Sequence, residues 1–177
     1  MSRARTLLVL PLAALLLAGC EEDPTAPAED PVQQLVDRIR ASTEAYHQVA
    51  SAAAAGYAEA SPCVSSPDGA MGFHYMNAPL VDAAVEPTVP ELLLYEPTAG
   101  GNLRLVGVEY MVLAPEWDAS NDEPPSLAGQ PFDDHRAEEA RHGIPFPHYD
   151  LHVWAWEENP NGTFAPFNPN VSCDGAG

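Results

Sequence analysis

The chain has 177 residues, enough for one domain of ~150 residues, and sets 26 acidic side chains against 7 Arg and no Lys, a formal net charge of -19. Such an acidic surface repels phosphate backbones, which speaks against a nucleic-acid partner, while a hydrophobic content of 46% excludes a disordered acidic tail. With 12 Gly and 19 Pro, many turns and few long regular elements are expected.

Arg3 and Arg5 precede an apolar run from Leu7 to Leu17, shorter than the ~20 residues a spanning helix needs. The run ends in Leu17-Ala18-Gly19-Cys20. Basic start, apolar run, small residues and Cys in that order resemble a bacterial lipobox. The resemblance implies a signal peptide over residues 1–19, a lipid on Cys20 and an extracytoplasmic chain, facing the periplasm or on the cell surface. Its partner would then be the membrane, reached through the N-terminal lipid at ~0.8 kcal/mol per buried CH2. The alternative is an ordinary signal peptide with a chance Cys. Residues 20–29, Cys20 followed by EEDPTAPAE, read as an acidic, Pro-rich tether, and residues 30–177 as a single globular domain.

Asp30 as cap, Pro31 at the first helical position and Gln33 closing a capping box mark a helix start. Apolar residues at Val32, Leu35, Val36, Ile39, Tyr46, Val49, Ala50, Ala53 and Tyr57 follow a 3.6 period, so one amphipathic helix of about 25 residues is expected, stopping at Gly56. Short β-like runs come next: Met71 to Asn77, Leu92 to Glu96, Leu103 to Leu113 and Tyr149 to Trp156, with Thr163 to Phe167 as a short fifth. The second and third form a hairpin across Gly100-Gly101. A short helix is expected around Asp133 to Arg141 and a tight turn at Asn159 to Gly162. One helix followed by strands makes the fold α+β: a long N-terminal helix on a small, loop-rich, mainly antiparallel sheet.

Beyond Cys20 only Cys63 and Cys173 remain, an even pair in neither CxxC nor CxxH spacing. In an oxidising compartment they are expected to form a disulfide; two free or metal-ligating thiols are the alternative. The sharpest polar pattern is His148-Tyr149-Asp150-Leu151-His152. Alternate strand residues share a face, which gathers His148, Asp150 and His152, with Trp154 and Trp156 continuing the face as ligand-contacting aromatics. Two imidazoles and a carboxylate suit a divalent transition metal with positions left open. Three residues spaced ~6.6 to 6.8 Å apart along one strand do not all reach one ion, so help must come from elsewhere. His74 and Glu109 supply it, Glu109 because a carboxylate on an apolar strand face is costly unless paired or ligating. Glu109 pairing with Arg104, Arg136 or Arg141, and histidines that serve structure alone, are the alternatives. His47 is a weaker ligand, and Asp118, Asn121, Asp122 and Glu123 form an acidic loop without EF-hand spacing. No GxSxG elbow, HExxH helix, P-loop or GxGxxG fingerprint occurs. Asp133-Asp134 and Glu157-Glu158 read as solvated charge.

The body of the chain resembles a group of bacterial secreted proteins of uncharacterised activity. The resemblance lies in Tyr46-His47, Gly56-Tyr57, Met71 to Tyr75, Leu93 to Pro97, Leu105 to Tyr110, Leu151 to Trp156 and Asn159 to Cys173. It implies a folded module and no particular reaction. Three functions fit the residues: a lipid-anchored binding module for a divalent metal or small ligand, a metal-dependent extracytoplasmic enzyme, or an envelope structural or interaction protein.

Overall fold

The structure is a computed structural model that describes residues 30–137 and 144–176. The leader, the tether and Cys20 lie outside these residues, as does Arg141 with the end of the helix expected from Asp133.

Helix α1, Pro31–Thr43, begins as its sequence requires: the Asp30 carboxylate accepts the Val32 N–H at 2.9 Å and Pro31 opens the first turn. Gln33 closes no capping box; its amide donates one turn onward to Asp37 Oδ1 at 2.8 Å. The single helix reaching to Gly56 does not form. After Thr43 the chain tightens into a 3-10 turn, Glu44–His47, extends at Gln48 (φ -92, ψ 104) and resumes as α2, Val49–Ala54. Tertiary partners break the helix. The Tyr46 carbonyl accepts the Tyr95 hydroxyl at 2.6 Å, and His47 packs edge-on against Trp156 with ring centroids 4.3 Å apart. The apolar period runs through the break, but these contacts outweigh weak helix propensity. Gly56 ends the segment at φ +101, a conformation only Gly adopts freely.

The strands follow: β1 Ala58–Glu59, β2 Val64–Ser66, β3 Gly69–Met76, β4 Leu92–Thr98 and β5 Asn102–Leu113. Next come α3 Ala114–Trp117, β6 Ser126–Leu127, β7 Gln130–Pro131, β8 Asp133–Asp134 and β9 His148–Val153. The main sheet has the order β1-β3-β4-β5-β9-β8, with β2 beside β3 and every strand pair antiparallel, which makes the fold α+β. The β4–β5 hairpin turns through Gly100 and Gly101, both at positive φ. Thr163 to Phe167 is not a strand. The chain turns at Asn159–Gly162 and makes one bridge, Asn168 to Ala70. Asp133 and Asp134 are β8 rather than the start of a helix, and they pair with Asp150 and Tyr149 of β9.

Register sorts the side chains into two faces. Tyr75, Leu93, Val108 and Val153 lie side by side across β3, β4, β5 and β9 and face Leu35, Val36 and Ile39 of α1 in the main core. One residue along, the row reads Met76, Leu92, Glu109 and His152, on the opposite face. That face is closed by the C-terminal segment, which a Cys63–Cys173 disulfide ties to the β1–β2 connection across 110 positions. Among the described residues, no helix is long and apolar enough to cross a membrane.

Candidate metal centre

The second face holds a cavity of about 530 Å³. Its polar wall comes from three strands of the main sheet: His74 on β3, Glu109 on β5 beyond β4, and His148, Asp150 and His152 on β9. Period-2 alternation aims all five away from the helix-covered core, while Tyr149, Leu151 and Val153 take the core side of β9.

His74, Glu109 and His152 are all buried, at 6%, 2% and 4% exposure, and their ligand atoms lie within 4.8 Å of one another. Glu109 Oε2 stands 3.5 Å from His74 Nε2 and 3.9 Å from His152 Nε2. Donors held by ~2.0–2.2 Å bonds at tetrahedral angles sit ~3.4 Å apart, so this spacing suits one ion between them. Among the described residues nothing donates a hydrogen bond to Glu109 Oε2, although the atom is wholly buried. A buried carboxylate in that state is costly unless a proton or a cation meets it. Ser61 Oγ contacts His74 Nδ1 at 2.9 Å, which fixes the ring with Nε2 toward Glu109, as outer groups orient metal-binding imidazoles.

A second group lies on the same wall. Asp133, His135 and Asp150 also bring ligand atoms within 4.8 Å of one another, with His135 Nε2 at 3.3 Å from Asp150 Oδ1. His148 stacks on His135, centroids 5.2 Å apart, and its Nε2 is 3.8 Å from Asp150 Oδ2. The two groups meet through their carboxyls. Burial, and then the Asp150 carboxylate that faces it, push Glu109 well above the ordinary carboxylate range. Burial acts on Asp150 too, but the His135 hydrogen bond and the His152, His135 and His148 imidazoles outweigh it and hold Asp150 low. Burial and the charge on Asp150 raise Asp133 against the pull of His135 and His152. Catalytic carboxyl pairs are driven apart by their surroundings in the same way.

Other expected site residues fall elsewhere. Trp154 and Trp156 do not line the cavity: β9 ends at Val153, and Trp154 stays on the second face but in a separate cluster with Leu94 and Val106. Trp154 donates to the Ala165 carbonyl at 2.6 Å and packs on Val106, and Trp156 donates to Thr43 Oγ1 at 3.0 Å. Arg104 does not neutralise Glu109; it pairs with Glu96 and Glu157, so Glu157 is an ion-pair partner rather than solvated charge. Arg136 pairs with Asp134 and Asp118, and Asp118 also accepts the Tyr149 hydroxyl, which leaves the acidic loop committed to its own contacts. His47 sits against Trp156 on the helix side. His135 was invisible as a ligand in the sequence, and Asp133 read as surface charge. The pairing of β8 with β9 brings both to the cavity, a contact between residues distant along the chain that no local pattern signals. The chain matches no family model, no curated protein and no solved structure, so its chemistry is read from this geometry alone.

Proposed function

We propose that the protein is a lipid-anchored extracytoplasmic module that binds one divalent transition-metal ion on His74, Glu109 and His152. The convergence of three buried side chains from three strands on one point, around a carboxylate oxygen with no hydrogen-bond donor among the described residues, carries this reading. Nitrogen and oxygen donors of this kind suit Zn, Mn, Fe or Co better than thiophilic Cu(I). Three protein ligands leave positions for water or a bound molecule, and a cavity of about 530 Å³ accommodates a small ligand next to the ion. That space favours metal-dependent catalysis as the second reading. The disulfide accords with an oxidising compartment, and the lipobox at Cys20 supplies the anchor.

Elemental analysis of the full chain, purified without a His tag and loaded with Zn(II), tests the site. At least one tightly held ion is expected, lost in His152→Ala. Wild-type protein that retains no ion, or a His152→Ala variant that keeps every ion, overturns the reading. In the same preparations Cys20→Ser should move the protein out of the membrane fraction; unchanged partitioning would remove the lipid anchor.

A further inference from the structure

The His74–Glu109–His152 set uses only half of the polar wall. On the other half, Asp150 is 8% and His148 4% exposed, so two more metal-ligating groups are buried without a place in the first site. Buried polar groups need partners, and here the protein supplies part of what a ligand set requires. The Phe146 carbonyl can only accept, so His148 Nδ1, 2.8 Å away, carries the proton of that contact. Nε2 is thereby turned toward Asp150 Oδ2 at 3.8 Å, too far for a hydrogen bond and close to the spacing of two donors on one ion. Asp150 Oδ1 meets His135 Nε2 at 3.3 Å, and Asp133 from β8 closes the group from the strand beyond.

We propose that a second divalent transition-metal ion binds on Asp133, His135 and Asp150, with His148 as a further donor, beside the ion on His74, Glu109 and His152. The two sets stand on neighbouring strands. Glu109 is opposite His152 and Met111 opposite Asp150, which makes Glu109 and Asp150 diagonal neighbours on one face of the β5–β9 pair. Their carboxyls are the common boundary of the two sites. Paired ions commonly clamp the oxygens of a group undergoing displacement, so occupancy by two ions would place the enzymatic reading ahead of simple metal storage. The pairing rests on the first site, while the second donor set is defined by its own residues.

The test is a stoichiometric titration of the chelator-stripped full chain, without a His tag, by equilibrium dialysis against Zn(II) and repeated with Co(II). Two ions per chain are expected for the wild type. His135→Ala and Asp133→Asn should each bind one, and so should His152→Ala, with the remaining ion then sensitive to Asp133→Asn in the double variant. Asp133 is exposed, so Asp133→Asn keeps the test valid if His135→Ala fails to fold. A wild type that binds a single ion, lost in His152→Ala and retained in Asp133→Asn, overturns the second site and leaves the first intact. A single ion lost in Asp133→Asn and retained in His152→Ala overturns the first site and the pair. Two ions that persist in Asp133→Asn and His135→Ala also overturn the proposal.

Discussion

Replacing both Cys63 and Cys173 with Ser should lower the unfolding free energy by about 4.7 kcal/mol, the chain-entropy value for closing a loop near this size. The bridge spans 110 positions, most of the described chain, so its absence frees a large unfolded ensemble. Domains of this size are stable by only ~5–15 kcal/mol, which makes the loss a large share of the total. The effect should reach the site as well. Cys63 follows Ser61, whose hydroxyl orients His74, and Cys173 anchors the segment that carries Pro166 and Phe167 along the cavity. Urea unfolding should show a lower midpoint and a steeper slope, because the unlinked unfolded chain exposes more surface, and reductant added to the wild type should reproduce both. Zn(II) binding should weaken in the same samples. A midpoint that does not move would mean that the C-terminal segment is held by its packing alone.

The sheet was legible because its signals are local and redundant. Alternating residues on β3, β5 and β9, the Gly-Gly turn and the absence of a spanning segment each point the same way, and the antiparallel α+β order follows. The grouping of His74, Glu109 and His152 was legible for a different reason. Glu109 stands among Val108, Tyr110 and Met111, where a carboxylate carries a desolvation cost that only a partner removes. What the sequence could not show was decided by contacts distant along the chain. Tyr95 reaches the Tyr46 carbonyl and breaks a helix whose apolar period is intact. Trp154 and Trp156 share the parity of His152, yet the strand stops at Val153; Trp154 packs beside the cavity on Leu94 and Val106, and Trp156 turns to Thr43 and His47. His135 has no periodic neighbourhood at all, and only the two-residue pairing of β8 with β9 gives it a role.

Glu109→Gln should make the metal-free protein less sensitive to alkaline pH and cut its stabilisation by Zn(II) back to what the Asp133, His135 and Asp150 group supplies. In the wild type the Glu109 carboxyl is raised well above its ordinary value of 4.5 by burial and by Asp150, so the folded chain holds a proton that the unfolded chain releases near 4.5. The favourable contribution is therefore complete below about pH 4.5 and is lost as pH rises from there toward the folded-state value. Glu91, also pushed up mainly by burial, to about 7, adds a loss of the same sign in both proteins, so the difference between variant and wild type reports Glu109 together with Asp150, the carboxyl that faces it. Metal reverses the sign. An ion displaces the proton from Glu109 and binds imidazoles only in their neutral form, so Zn(II) affinity grows as pH rises. At a free concentration of 100 times Kd the ion stabilises the fold by ~2.7 kcal/mol, and the shift in Tm should widen between pH 5 and pH 8. Gln keeps the shape of Glu but offers no anion, and the shift should shrink to the part that the Asp133, His135 and Asp150 group supplies while the metal-free fold persists. Thermal unfolding of both proteins across that pH range, with and without Zn(II), checks each part. Identical pH slopes would show that Glu109 does not carry the proton, and an undiminished Zn(II) shift in the variant would remove it from the ligand set.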